Sequence, residues 1–234
     1  MYQKKNRKRV RGIYGTYETR KWNDAVDIYY YEKKRGGKFF LSKCLEESRE
    51  RGTVFNSSLV SSSQENLWTE AGWEACHHLY LYNLFFNKEI PIQESKKVVG
   101  CVKLKQEHFE KIVSIDKEIF DPYWRSSFLT LLDTLNSCKE TVLYEYQDKG
   151  RLLAYALVGI TMRSSFLQRF AVHPETQGLG VGSLVLENIL SDMVKKKMIS
   201  MKLNTQKENF AAQKLYEKKG FSLSKESLSI MSSG

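Results

Sequence analysis

No stretch of this 234-residue chain approaches the ~18 consecutive apolar residues of a membrane span. The basic N-terminal cluster (Lys4, Lys5, Arg7, Lys8, Arg9, Arg11) is not followed by the apolar segment of a secretory leader, so no export signal is expected. Cysteine is sparse. Cys44, Cys76, Cys101 and Cys138 lie far apart and form no CxxC pair, which excludes a disulfide framework and fits a reducing, cytoplasmic compartment. Cys76-His77-His78 is a poor metal site, because adjacent strand residues point to opposite faces, and no metal is expected. No nucleic-acid-binding signature accompanies the basic residues, and nucleic acid is not an expected partner. What is present is material for a packed core, with 41% hydrophobic and 12% aromatic residues, enough for one large domain or two small ones. The formal charge of +10 favours anionic partners, although such an excess is more often a solvated surface.

The most specific signal is Gln177-Gly178-Leu179-Gly180-Val181-Gly182. It lies between an apolar stretch (Phe166 to Val172) and an amphipathic one (Leu184 to Val194), and reads as strand, glycine-rich turn, helix. Alternate glycines let the backbone turn tightly and aim successive N–H groups at one point. At a helix N-terminus those amides favour an anion such as a pyrophosphate. A glycine-rich turn alone is weak, since many are plain surface turns.

A second segment adds specificity. Asn209, Ala212, Tyr216, Gly220 and Phe221 are spaced as Asn-x-x-Ala-x-x-x-Tyr-x-x-x-Gly-Phe, and the earlier loop fits Gln/Arg-x-x-Gly-x-Gly/Ala at Gln177, Gly180 and Gly182. In this order the two motifs resemble those of the GCN5-related N-acetyltransferase (GNAT) family, over roughly Val98 to the end of the chain. The resemblance implies an α/β fold with a mixed, strongly twisted sheet flanked by helices. It also implies acetyl-CoA as co-substrate and an amine acceptor, either a small molecule or a protein N-terminus. Self-association into a homodimer stays open, and no membrane is involved.

Periodicity supplies the elements. Extended segments are expected at 9–19, 25–31, 53–55, 76–86, 98–104, 140–147, 152–161, around Phe166, 200–203 and 221–231. Helices are expected at 38–51, 64–71, 106–120, from Pro122, after the glycine loop and at 210–219, with a hairpin at Asp148-Lys149-Gly150 and a linker over 87–97. The closing part of the first half resembles that of the second: 38–51 corresponds to 183–197, 53–56 to 200–203 and 64–71 to 210–219, so Trp68 falls where Tyr216 stands. The expected organisation is a degenerate GNAT-like domain over 1–94 and a catalytic domain over 95–234.

By resemblance, the donor site comprises Phe170, Ala171 and Val172 on a strand that splays from its neighbour, then Gln177, Gly178, Leu179, Gly180, Val181, Gly182 and Ser183, and finally Asn204, Asn209 and Tyr216. Tyr216 would give a proton to the departing thiolate, the ordinary phenol and thiol pKa values of ~10 and ~8.5 being close enough for a positioned hydrogen bond to help. Many family members carry a Glu on the strand before the loop, whereas Phe166 to Val172 has no carboxylate. Candidate bases are Asp121, Glu118, Tyr144 and Glu145, or a water relay involving Gln168 or the backbone. Asp121 is taken as the acceptor-side catalytic residue, although Asp before Pro is also a good helix cap. The missing carboxylate keeps open a second reading, a protein that binds acetyl-CoA without turnover.

Overall fold

The computed structural model describes residues 7–86, 99–105 and 107–234; the linker expected at 87–97 lies outside the described residues. The strands are β1 (Lys8–Gly12), β2 (Gly15–Lys21), β3 (Ile28–Arg35), β4 (Val54–Ser57), β5 (Val60–Ser61), β6 (Glu74–Phe85), β7 (Val99–Lys103), β8 (Glu140–Asp148), β9 (Arg151–Ile160), β10 (Ser164–Val172), β11 (Ser200–Gln206) and β12 (Ser222–Ser232). The helices are α1 (Lys38–Glu50), α2 (Ser62–Thr69), α3 (Glu107–Ile119), α4 (Phe128–Ser137), α5 (Val181–Lys195) and α6 (Phe210–Lys218). The chain divides into two compact units: Met1–Leu81 with Gln206–Glu208 and Ser224–Gly234, and Tyr82–Thr205 with Asn209–Leu223. In each, a mixed sheet is flanked by helices.

In the first unit the strand order is β1-β2-β3-β4-β12-β6, with β5 beside β12. The single extended run expected at 9–19 is two strands, because Gly12 pairs with Gly15 and the chain reverses through Ile13-Tyr14. β3 and β4 run parallel, which requires a crossover, and α1 supplies it. The core gathers aromatic rings: Tyr31 lies 5.1 Å from Trp73, and the Trp73 indole donates to the Leu41 carbonyl at 3.0 Å. Burial pushes the Cys44 thiol up to about 11, which makes it a packing group.

In the second unit the order is β11-β10-β9-β8-β7, parallel between β10 and β11 and antiparallel elsewhere. α3 places Phe109, Ile112 and Ile115 on one stripe, which packs with Leu131 of α4 against Leu143, Tyr155, Leu157 and Ala171 of the sheet. α5 covers the opposite face, where Tyr144 donates to Asp192 at 2.6 Å. The β8–β9 hairpin turns through Lys149 (φ 48°) and Gly150 (φ 79°), the two left-handed residues of a type I′ turn. The helix expected from Pro122 is only a single 3-10 turn, Pro122–Trp124. Arg125 is extended, and α4 starts later on a capping box between Ser127 and Thr130. β12 is one strand of 11 residues.

A buried polar network fixes this α3–α4 connector to the sheet. Asp116 is 0% exposed. It pairs with the Arg169 guanidinium and accepts from the Tyr155 hydroxyl and, at 2.9 Å, from the Ser126 N–H. Arg169 also donates to the Tyr155 oxygen at 2.7 Å and to the Trp124 carbonyl at 2.8 Å, and lies 4.3 Å from the Phe120 ring centroid. Burial opposes the charge on Arg169, but Tyr155 and Asp116 outweigh it, so the guanidinium stays protonated. Arg169→Met strands a buried carboxylate and is expected to cost about 3–5 kcal/mol in urea denaturation. The double variant Arg169→Met/Asp116→Leu should recover most of that loss, because neither charge is then left alone. A single-variant loss below about 1 kcal/mol, the range of exposed pairs, would mean the network does not bear on stability.

Candidate active site

Where β10 meets β11, the parallel ladder covers Ser164–Leu167 against Ser200–Leu203 and stops. The β10–β9 ladder continues to Val172, with a bulge that skips Gln168. The bulge turns the Gln168 amide towards α4, where its Nε2 donates to Ser137 Oγ at 2.6 Å and to the Thr134 carbonyl at 3.3 Å. Gly159 makes room for it, since an added Cβ there would sit 2.8 Å from Gln168 Cδ. Beyond Leu167, β10 therefore presents backbone that β11 does not pair.

The gap opens into a cleft of about 450 Å³. Phe170, Ala171 and Val172 form one wall, Gln177, Gly178, Gly180, Gly182 and Ser183 a second, and Asn209, Ala211, Ala212, Leu215 and Tyr216 a third; Ile119 and Phe120 close one side. Gly178 (φ 76°) and Gly180 (φ 84°) adopt the left-handed conformation that side chains resist, and an added Cβ at either would meet nothing within 4 Å. The loop is thus a backbone surface open to a guest. Gln177 ties it to the strand end by donating to the Val172 carbonyl at 3.0 Å. The first intrahelical bond of α5 runs from Leu184 N–H to Gly180 O, so the N–H groups of Val181, Gly182 and Ser183 have no acceptor within the helix. These donors and the helix dipole suit a phosphate oxygen.

Tyr216 is 5% exposed, with its ring between Tyr82 (6.1 Å) and Phe221 (5.9 Å). Burial pushes its phenol well above the ordinary value, so it stays a neutral donor at any physiological pH. Asn209 caps α6, accepting from the Ala212 N–H at 3.2 Å, and also lines the cleft.

Three expected donor residues do not line it. Leu179 is 74% exposed, Val181 is buried in the core, and Asn204 points to solvent from β11. Asp121 accepts from the Tyr123 N–H at 3.0 Å, as a cap does, and is not among the lining residues. Of the other candidate bases, Tyr144 is bonded to Asp192, and Glu145 accepts from Gln147 at 3.1 Å on β8. Gln168 is turned away into the α4 contacts. Glu118 stands 3.1 Å from His173 Nε2 and 3.4 Å from Arg151. Sequence reasoning missed Ile119, Phe120, Ala211 and Leu215 as lining residues, although Phe120 ends a clear apolar periodicity. It also missed the Arg169 network, whose partners lie 53 and 14 positions away and leave no local pattern.

The sequence profile of the Acetyltransferase (GNAT) family matches residues 109–221. The [Ribosomal protein bS18]-alanine N-acetyltransferase of Escherichia coli (strain K12) is 28% identical over 78 residues, which span 33% of this chain and 53% of that protein. The chain thus spans about half the length of the curated relative it matches. Among solved structures, a GCN5-related N-acetyltransferase from Sphaerobacter thermophilus superposes with a TM-score of 0.64 at 13% identity, over 93% of this chain and 76% of that one. A tandem GNAT protein from the clavulanic acid biosynthesis pathway gives 0.66 at 11% identity, over 94% and 79%. At such identities the superpositions speak for the fold. Residues 109–221 therefore carry the GNAT acetyltransferase pattern, in sequence through the family profile and in fold through the solved structures.

Proposed function

We propose that this protein transfers an acetyl group from acetyl-CoA to a primary amine, of a small molecule or a protein N-terminus, by direct attack in a ternary complex. The observation that carries the reading is the meeting, in one cleft, of three things the reaction needs: unpaired strand backbone, an open amide loop at a helix N-terminus and a buried neutral phenol. In this reading the amides from Gly178 to Ser183 hold the CoA pyrophosphate. Backbone of Phe170 to Val172 holds the pantetheine arm and offers an N–H to the thioester oxygen. Tyr216 donates to the leaving sulfur. The alanine N-acetyltransferase of E. coli supports a protein N-terminus as acceptor.

Residues 1–94 are proposed as a degenerate GNAT-like half, with the catalytic domain over 95–234. Supporting this, β3-α1-β4 repeats the parallel strand-helix-strand arrangement of β10-α5-β11. Gly36-Gly37 stands where the longer glycine run would be, with the Phe40 ring packed against Gly36, and Trp68 replaces the tyrosine. A second reading, acetyl-CoA binding without turnover, draws on the absence of a carboxylate among the described residues lining the cleft.

Two variants test these roles. Gly180→Glu puts a side chain and a negative charge into the loop, and should abolish the thermal stabilisation by CoA, which would be about 2.7 kcal/mol at a hundredfold excess over Kd. Gly180→Ala carries the same backbone strain without the charge and separates the two effects; an undiminished CoA shift in Gly180→Glu sinks the loop assignment. Tyr216→Phe removes only the hydroxyl. It should lower turnover about 10²–10⁴-fold with CoA binding preserved, as measured by thiol release over a panel of amines. Near-normal turnover would take Tyr216 out of the mechanism. No thiol release from the unaltered protein with any amine would favour the binding-only reading.

A further inference from the structure

We infer that the acceptor is an α-amine taken up as its free base, its proton lost to solvent before binding rather than removed by a side chain of the cleft. This rests on the acetyl-transfer reading and adds the class of amine and the origin of the nucleophile. Attack on a thioester needs the nitrogen lone pair. The C–N bond forms, the C–S bond breaks, the nitrogen sheds one proton, and the thiolate takes one. A general base must lie within about 3 Å of the nitrogen, or one water away.

Among the described residues around this cleft, the acids and bases on α3, the connector, α5 and α6 are each engaged with a partner. On α3, Asp116 is enclosed by Arg169, Tyr155 and the Ser126 N–H, while Glu118 faces Arg151 and His173. On the connector, Asp121 is held by the Tyr123 N–H. His173 has both ring nitrogens engaged: Nδ1 accepts from the Glu175 N–H at 3.3 Å, and Nε2 meets Glu118 and Arg151, each at 3.1 Å. On α5 and α6, Glu187 takes the Lys219 ammonium and Ser183, and Glu217 takes the Tyr82 hydroxyl. Glu145 keeps one buried oxygen, Oε1, without a partner, but it stands two strands from Ala171 through Tyr155, about 10 Å by sheet spacing, beyond direct reach of a nitrogen at that wall. Tyr216, the ionisable residue among those lining the cleft, is kept protonated by its apolar surroundings and cannot accept.

With no carboxylate or imidazole among the described residues lining the cleft, the reaction depends on the amine's own acidity. At pH 7.5 an α-amine, with an ordinary pKa of about 7.7–8.0, is neutral in about a third of molecules, and a lysine amine, near ~10.4, in about one in a thousand. The ratio is about 200-fold in favour of the α-amine.

The test uses the full chain, acetyl-CoA and three short peptides. One has a free N-terminal alanine and no lysine. The second starts instead with β-alanine, whose amine is more basic. The third is N-terminally blocked and carries one lysine. For the alanine peptide, kcat/KM should rise tenfold per pH unit and level off at that peptide's own amine pKa. For the β-alanine peptide the inflection should move up with its amine, and the lysine peptide should be about 200-fold slower at pH 7.5. One inflection common to both free-amine peptides, below their pKa values, would reveal a protein base and overturn the inference, leaving acetyl transfer intact. Lysine turnover equal to that of the alanine peptide would do the same. Thiol release with none of the peptides at any pH, but with a small-molecule amine of higher pKa, would overturn this inference and leave acetyl transfer standing; no release with any amine would overturn both.

Discussion

The parting of β10 from β11 after Leu167 is the constraint on which the candidate site depends. A parallel pair normally satisfies its backbone along its whole length, and unpaired buried amides are costly. Here the ladder is given up over the last residues of β10 while pairing with β9 persists. The bulge at Gln168 makes the change of direction possible, and the missing side chain at Gly159 gives its amide somewhere to go. Everything in the cleft follows from that opening. Phe170 to Val172 become a wall, the chain leaves the sheet into the glycine loop, and α6 brings Tyr216 to the far side.

The ion pair of Asp116 and Arg169 is the second organising feature. A buried pair of this kind is rarely a net source of stability, since desolvation offsets much of the attraction. Its value is geometric. One guanidinium, carried by the strand that walls the cleft, meets the ring of Phe120 and the carbonyl of Trp124, so the connector cannot shift without uncovering a charge. The same arrangement has a chemical consequence. Both carboxylate oxygens of Asp116 are occupied, by the guanidinium, the Tyr155 hydroxyl and the Ser126 N–H, so its place is in the scaffold behind the cleft.

The first unit also contains a parallel strand-helix-strand crossover. Its parallel β3-α1-β4 crossover has no open loop before the helix, and its core is closed by Tyr31, Trp68 and Trp73. In the second unit, small residues, Gly182, Ala211 and Ala212, line the cleft.

Much of this architecture is legible from local pattern. Helix periodicity marked α1, α3, α5 and α6 to within a few residues, the Asp148-Lys149-Gly150 signal marked the hairpin, and the glycine spacing marked the loop, because each depends on neighbours close in the chain. The helix expected at Pro122 was lost to a stronger competing cap at Ser127, and one extended run split at Ile13-Tyr14, a reversal carrying only weak turn chemistry. The identity of the loop and of Tyr216 as neighbours was readable through motif order. That Asp121 caps a turn, that Leu179 and Asn204 face solvent, and that Arg169 ties Asp116 to Tyr155 was not. The amino-acid sequence by itself determined the elements, the glycine loop and the family resemblance. Tertiary structure alone decided which acids are paired and which residues line the cleft, because pairing between residues dozens of positions apart is set by packing and leaves no period in the chain.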